Sequence, residues 1–368
     1  MTRLKFKAQT KSAFFPTVRL KVDNYFKEHD ISPNANSNMW FKVIFFLGIF
    51  LLLYNLIITS SFNSWILLLL TVLLGMFSAF IGFNICHDAI HDSLSSNKKV
   101  NKGFSFLFNL VGANPYLWSI MHNTVHHTFT NIPGHDEDLV VAPGLIRISQ
   151  EEPVNKIQRF QHLYAFPLYS LASLSWVFRK DYKKFFQSKI GEIRIKHPKI
   201  EYFNLFFFKG LYYFLFIVLP LLLLNLTWWQ FLIGFMALHI TKGLTMGLVF
   251  QLAHVVEGTD FPKPNEEGNI EDNWAEHQLR TTANFASGNS IAAFFLGGLN
   301  QQIEHHLFPR VCHVHYKKIG AIVKETAHEF NLPYIENPTF FDALKSHYEI
   351  LKKLGKQEYR NKNKTTSL

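Results

Sequence analysis

His87-Asp88-Ala89-Ile90-His91 stands at the end of an apolar run that begins at Trp65, and this junction decides how the rest of the chain is read. The run from Trp65 to about Cys86 has the roughly 20 apolar residues that a bilayer crossing requires. Ligand-type side chains therefore emerge where the chain leaves the hydrocarbon. His87 and His91, four residues apart, share one face of a helix. His122-Asn123-Thr124-Val125-His126-His127 repeats the pattern. His122 and His126 point the same way, and His127, turned by about 100°, can face a second centre. Gln302-Ile303-Glu304-His305-His306 puts Gln302, His305 and His306 on one face at i, i+3 and i+4. A zinc site takes three or four ligands. These clusters hold seven histidines, as two metals would require.

Three more apolar runs extend the pattern. One precedes the junction, at about 40–60, and two follow at 203–226 and 228–254. The breaks between paired runs, Ser60-Ser61-Phe62-Asn63-Ser64 and Asn225-Leu226-Thr227, contain no Lys or Arg, whereas Lys98, Lys99 and Lys102 follow the second run. The positive-inside rule puts the breaks outside and the N-terminus, residues 87–199 and residues 254–368 inside. All three histidine clusters then lie at one membrane face. Residues 103–121 are apolar but interrupted by Gly112, Asn114 and Pro115; they predict a re-entrant or interfacial helix. A true span there would separate His122 from His87. The expected architecture is an all-α integral membrane protein, four transmembrane helices in two hairpins, with a cytoplasmic helical cap. Its divisions are a cytoplasmic segment, 1–38, lying near the headgroups; a membrane domain, 39–335; and a charged tail, 336–368, whose last dozen residues read as disordered.

Composition agrees. Hydrophobic residues make up 48% of 368, Phe occurs 38 times, and mean hydropathy is +0.05, which fits membrane spans joined to a polar cap of similar size. The net charge of +10 sits beside apolar spans, where anionic headgroups explain it better than nucleic acid does. Two cysteines, Cys86 and Cys312, give no disulfide framework or cysteine metal motif. Met1–Lys27 lacks the apolar stretch of a cleaved signal peptide.

Imidazole suits iron, zinc, copper and nickel, so the donor set alone leaves the metal open. The order HxxxH, HxxxHH, QxxHH across two pairs of spans resembles the membrane fatty acid desaturases. The stretch from Gly297 to Pro309, with Gln302 where other members carry a first histidine, is similar to the front-end branch, which includes linoleoyl-CoA desaturases. The resemblance covers roughly residues 40–320. It implies that His87, His91, His122, His126, His127, His305 and His306 hold two irons, with His254 as an additional ligand and Gln302 in a ligand-like position, direct or through water. No catalytic residue beyond the metal centre is implied. The implied reaction uses O₂ and two external electrons to place a cis double bond in a long-chain fatty acyl group, carried as acyl-CoA or acyl-lipid, through an apolar tunnel that selects the C–H bond. No His-Pro-Gly-Gly heme motif of a fused cytochrome b5 occurs, so a separate cytochrome b5 or ferredoxin is the expected donor. A bacterial inner membrane or the endoplasmic reticulum is the expected location.

The same boxes serve lipid hydroxylases, ketolases and sphingolipid desaturases, and product analysis separates these. A metal transporter or membrane hydrolase would place its ligands within the bilayer instead. Asp88, Asp92 and Glu304 either orient the imidazoles or are solvated helix-end charges. His135, Asp136 and Asp138 either contact the substrate headgroup, stand behind the imidazoles, or form a polar loop, which is the simpler reading. His239 and Lys242 are costly in lipid; Lys242 lies about 21 Å into its helix, within reach of the inner face by snorkelling. Sequence assigns no role to these two, nor to His277, His313 or His315.

Overall fold

A computed structural model describes residues 4–59, 61–139, 141–149 and 152–356. Four helices are long and apolar enough to cross a membrane: Ser37–Thr59, Ser64–Ile90, Lys199–Leu223 and Trp228–His254. These are the four spans read from sequence, with ends moved by a few residues. In the third, only 28% of the apolar window is buried within the protein, so most of its Phe and Leu surface faces outward. A soluble protein does not leave a surface of that size open; a lipid environment accounts for it. Asn63 caps the second span by accepting from the backbone N–H groups of Trp65 and Ile66. Thr227 and Gln230 form a reciprocal capping box at the start of the fourth.

The apolar stretch 103–121 does not span. It breaks into Lys98–Ser105, Leu107–Leu110 and Pro115–Ser119. Gly112 has φ +85°, and a Cβ there would lie 2.7 Å from Val177 Cγ2. Asn114 then caps a new helix with Pro115 in its first turn. The chain turns back, and His122 returns to the side of His87.

Polar groups within the spans are held by protein. Lys242 is buried and donates to the Val111 carbonyl rather than reaching out to the headgroups. Lys209 lies 2.8 Å from the Asp181 carboxylate and also donates to the Gly112 carbonyl. His239 bonds Ser173 Oγ at 2.9 Å. Snorkelling fails for Lys242 because the two segments that fold back, 107–114 and 172–185, bring carbonyls and a carboxylate to the lysines inside the protein.

The cap has its own core. Phe14, Val18, Val22 and Phe26, spaced by four along the helix Phe14–Glu28, are buried against Ile319 and Val323 of the helix Tyr316–Glu329. The N-terminal segment is thus packed into the cap. Within the expected tail, Phe340–Lys356 is a docked helix that buries Ala343, His347, Leu351 and Leu354; the last dozen residues lie outside the described ones. Among the described residues there are three two-residue ladders, two joining distant segments and one a local hairpin. Lys5–Phe6 pairs in parallel with Asn269–Ile270, Asn284–Phe285 in parallel with Glu336–Asn337, and Lys189–Ile190 antiparallel with Ile193–Arg194.

Candidate metal centre

Two departures from α-helical geometry aim the histidines. The second span passes through a π-helical turn, Gly82–Cys86, just before His87. Box two lies on a π-helix, Ile120–His126. Such turns are rare and cluster at functional sites. Asn84 fixes the first by donating to the carbonyls of Phe80 (2.9 Å) and Phe295 (2.8 Å). The second keeps the His122 and His126 rings stacked, 5.1 Å between centroids, yet sends their ring nitrogens to different groups. Box three approaches through Gly297 and Gly298, at φ +61° and +69°. Cβ atoms there would lie 2.5 Å from the Phe83 carbonyl and 2.8 Å from His313 Cβ. Only glycine fits both the backbone and the space.

The result is a buried cage of eight imidazoles. Ring nitrogens of His87, His91, His122 and His305 lie within 4.8 Å of one another; so do those of His126, His254 and His306. His127 bridges, forming a further group with His305 and His306. Box three is split by its own helix: His305 and His306 are nearly perpendicular, at 84°, and enter different groups. Sequence spacing put His122 with His126 and turned His127 toward the second centre; instead His122 and His126 divide, and His127 stands between.

Outward-facing nitrogens are held by hydrogen bonds. His126 Nδ1 donates to Asp136 at 2.9 Å, His122 Nδ1 to Asp138 at 3.1 Å, and His306 Nδ1 to Gln278 Oε1 at 2.8 Å. His305 Nδ1 bonds the Tyr316 hydroxyl at 3.1 Å. Among the described residues, both ring nitrogens of His87 and of His254, Nδ1 of His127, and Nε2 of His91, His126, His305 and His306 are without partners, while Nε2 of His122 and of His127 lie 3.3 Å apart. Buried polar atoms are rarely left so. Converging, unpartnered and fixed from behind, these nitrogens fit metal ions.

Burial, then the proximity of neighbouring imidazoles, pushes the pKa values of His91, His122, His127, His305 and His306 well below the ordinary value. The rings are held neutral, the form that binds metal. His126 differs. Burial acts in the same direction, but the Asp136 carboxylate outweighs it and raises His126.

Of the carboxylates expected to orient imidazoles, Asp88 binds His313 rather than a cage ring: Nδ1 at 2.8 Å, with Cys312 Sγ at 3.0 Å. Its approach to His87 Nδ1 is 3.8 Å, beyond hydrogen-bond length. Glu304 faces away, toward Asn284 and Tyr334, and burial raises its pKa to about 7. Asp92 meets only Asn101, at 3.4 Å. Asp136 and Asp138, for which a polar loop is the simpler expectation from sequence, instead stand behind His126 and His122, the alternative that the acidic run 136–138 leaves open. Gln278 and Tyr316 gave no signal. His277 Nε2 bonds the Thr130 carbonyl at 2.9 Å and His315 Nε2 the Asn34 carbonyl at 3.0 Å, so both brace the backbone.

A cavity of about 160 Å³ opens onto this cage. Phe83, Phe108, Trp118, Trp176, Val249 and Phe250 are among its walls, and His87, His122 and Gln302 form its polar end. A histidine cage at the end of an apolar pocket beside membrane spans is the arrangement that acyl-chain chemistry requires. The Fatty acid desaturase family model matches residues 63–338. The chain belongs to the fatty acid desaturase family. Over 94% of its length it is 36% identical to the acyl-lipid (8-3)-desaturase of Physcomitrium patens, covering 72% of that protein. It is 34% identical to the sn-1 linoleoyl-lipid 6-desaturase of Synechocystis sp., covering 97% of this chain and 99% of that one. The enzyme of that same name in Arthrospira platensis is 33% identical, over 91% and 90%. The protein is accordingly an O₂-dependent oxidoreductase, a fatty acid desaturase.

Proposed function

We propose that this desaturase is of the front-end type, acting on lipid-linked acyl chains and placing a cis double bond on the carboxyl side of an existing one. The observation that carries the reading is the cage of unpartnered imidazole nitrogens beside an apolar cavity that ends at Gln302. The QxxHH form of box three and relatives named as 6- and (8-3)-desaturases of acyl lipids support it.

In this reading two irons are held by His87, His91, His122, His126, His127, His254, His305 and His306, with Gln302 at a ligand position, direct or through water. With O₂ and two external electrons, the irons supply the oxidising power that removes two hydrogens from adjacent methylenes. The protein supplies the rest. Phe83, Phe108 and Trp118 exclude water from the acyl chain and hold it against His87 and His122, so geometry decides which C–H bond is presented. Asp136, Asp138 and Gln278 hold the imidazoles in the tautomer that turns the other ring nitrogen inward. Electrons come from a separate carrier, cytochrome b5 or ferredoxin, docked on the basic cytoplasmic face that bears Lys98, Lys99 and Lys102.

The test is lipid analysis by gas chromatography and mass spectrometry of expressing cells fed defined unsaturated acids, with His305→Ala alongside. A new cis bond on the carboxyl side, absent from the variant, is expected, with about two irons per purified wild-type chain. A bond on the methyl side would refute the front-end assignment, and a hydroxylated product would replace desaturation of this substrate with oxygen insertion.

A further inference from the structure

Among the described residues, one polar side chain at the substrate cavity is unexplained by the cage. Gln251 is 2% exposed, and its side-chain Nε2 has no hydrogen-bond partner. Leaving a buried amide donor unmade is costly, and such a group in a native protein calls for a cause. Its surroundings supply one. Gln251 lines the cavity that ends at His87 and His122, and also a second cavity of about 160 Å³ walled by Leu139, Pro143, Ile146, Ile148 and Tyr169. Val141 is the other residue common to both. The two stand between an inner chamber at the cage and an outer one.

The charged groups at the inner chamber, Asp138 and Lys180, are engaged. Asp138 accepts from His122 at 3.1 Å and from Lys180 at 3.4 Å. Gln251 therefore offers an uncommitted N–H donor in a chamber whose other polar lining, His87, His122, Asp138, Ser175, Lys180 and Gln302, is set among apolar walls. An acyl chain lying in that chamber carries a single kind of acceptor, the carbonyl at its head. Gln251 precedes His254 by three residues, about 4.5 Å along the helix axis. A carbonyl anchored there leaves only a few methylenes between anchor and cage.

We propose that Gln251 is the substrate's carbonyl anchor, donating its amide N–H to the ester or thioester oxygen and so fixing the double-bond position by distance from the carboxyl end. This rests on the front-end reading, since an enzyme that counts from the head of the chain needs a polar contact at a fixed short span from its metals. Hydrogen-bond donors aimed at a single acceptor in an apolar pocket are also how small-ligand sites fix orientation.

The experiment compares paired substrates in membranes that contain the electron donor. One pair is an acyl glycerolipid and its alkyl ether, the other an acyl-CoA and its S-alkyl thioether, all with the same chain; the ether analogues lack the carbonyl. Wild type is expected to prefer the carbonyl member of one pair by roughly tenfold in kcat/KM, and the pair that shows the preference identifies ester or thioester. In Gln251→Leu the preference falls to about one and the new double bond scatters over neighbouring positions, while iron content is unchanged. Gln251→Met, of similar length and without a donor, repeats the measurement where the leucine variant does not accumulate. Equal use of both members by wild type, or a preference that survives in the variants, overturns the anchor. A methyl-side product from wild type would instead defeat the front-end reading, whatever the variants do.

Discussion

The two histidine groups share boxes two and three, yet they stand in different surroundings. His87, His91, His122 and His305 lie on the substrate side, and His87 and His122 form part of the cavity wall. His126, His254 and His306 are closed in. The closed group is braced by buried partners: Asp136 accepts from His126 Nδ1 and also from Asn131 N at 2.9 Å, and Gln278 accepts from both His306 and Thr130. The open group is held more loosely. Each group has one ring with neither nitrogen partnered, His87 here and His254 in the closed group, but the carboxylate behind His122 is shared with the Lys180 ammonium at the cavity. The closed half carries the rigidity, and the open half leaves room for an acyl chain.

The largest effect should come from removing a ring shared by the open group and the bridging group. His305→Ala takes a nitrogen from the open group and from the bridging group with His127. We expect activity to fall by more than about a hundredfold, beyond the range seen for indirect partners of metal ligands, with iron content below two per chain. Retention of two irons at full activity would remove His305 from the proposed ligand set.

The orienting carboxylates test the contrast itself. Burial alone would raise the Asp136 pKa, but the His126 imidazole outweighs it and holds the carboxyl below its ordinary range. Asp136→Asn breaks that pair in a dry setting, and a loss of roughly 10–100-fold in metal affinity is expected. Asp138→Asn acts on the cavity side, where Lys180 is left without its carboxylate, and should cost less in iron retention and more in KM. Iron titration and steady-state kinetics on both variants measure the split. Equal losses in both would mean that the halves do not differ in stiffness.

Much of this was legible in advance, for physical reasons. Apolar runs of bilayer length and their Lys bias gave the spans, because hydrophobic thickness and charge asymmetry act locally along the chain. The eight cage histidines were visible as boxes and as a histidine at a span end. Their division into groups was not, because an α-helical wheel cannot register the π-helical turn at Ile120–His126. Asp88 and Glu304 adjoin box histidines in sequence but point elsewhere: a neighbour in the chain lies about 100° around the helix. Gln278 reaches His306 from 28 residues away, and Tyr316 reaches His305 from 11; neither sits in a pattern that periodicity could find. Lys242 misled through composition. Snorkelling was judged from depth alone, whereas its partner, the Val111 carbonyl, comes from a segment 131 residues distant.

The smallest expected effect concerns the outer support of the closed half. His347, on the docked helix Phe340–Lys356, donates Nδ1–H to the Val255 carbonyl at 2.6 Å, next to His254, and accepts from the Tyr169 hydroxyl at 3.0 Å. Burial lowers its pKa to about 4, against roughly 6.5 in an unfolded chain. The folded state thus holds a neutral ring while the unfolded state takes up a proton as pH falls through 6.5. The support is complete above that pH and is lost progressively toward pH 4, by up to ~3 kcal/mol for this one group. Limited proteolysis should therefore release the C-terminal helix of the detergent-solubilised protein faster as pH drops across this window. His347→Gln should release it faster than wild type at pH 7.5 and with a shallower acid response. Because no cage ring titrates in that helix, iron content at pH 7.5 should change little; a loss of iron there equal to that of Asp136→Asn would make the helix part of the cage rather than its outer support.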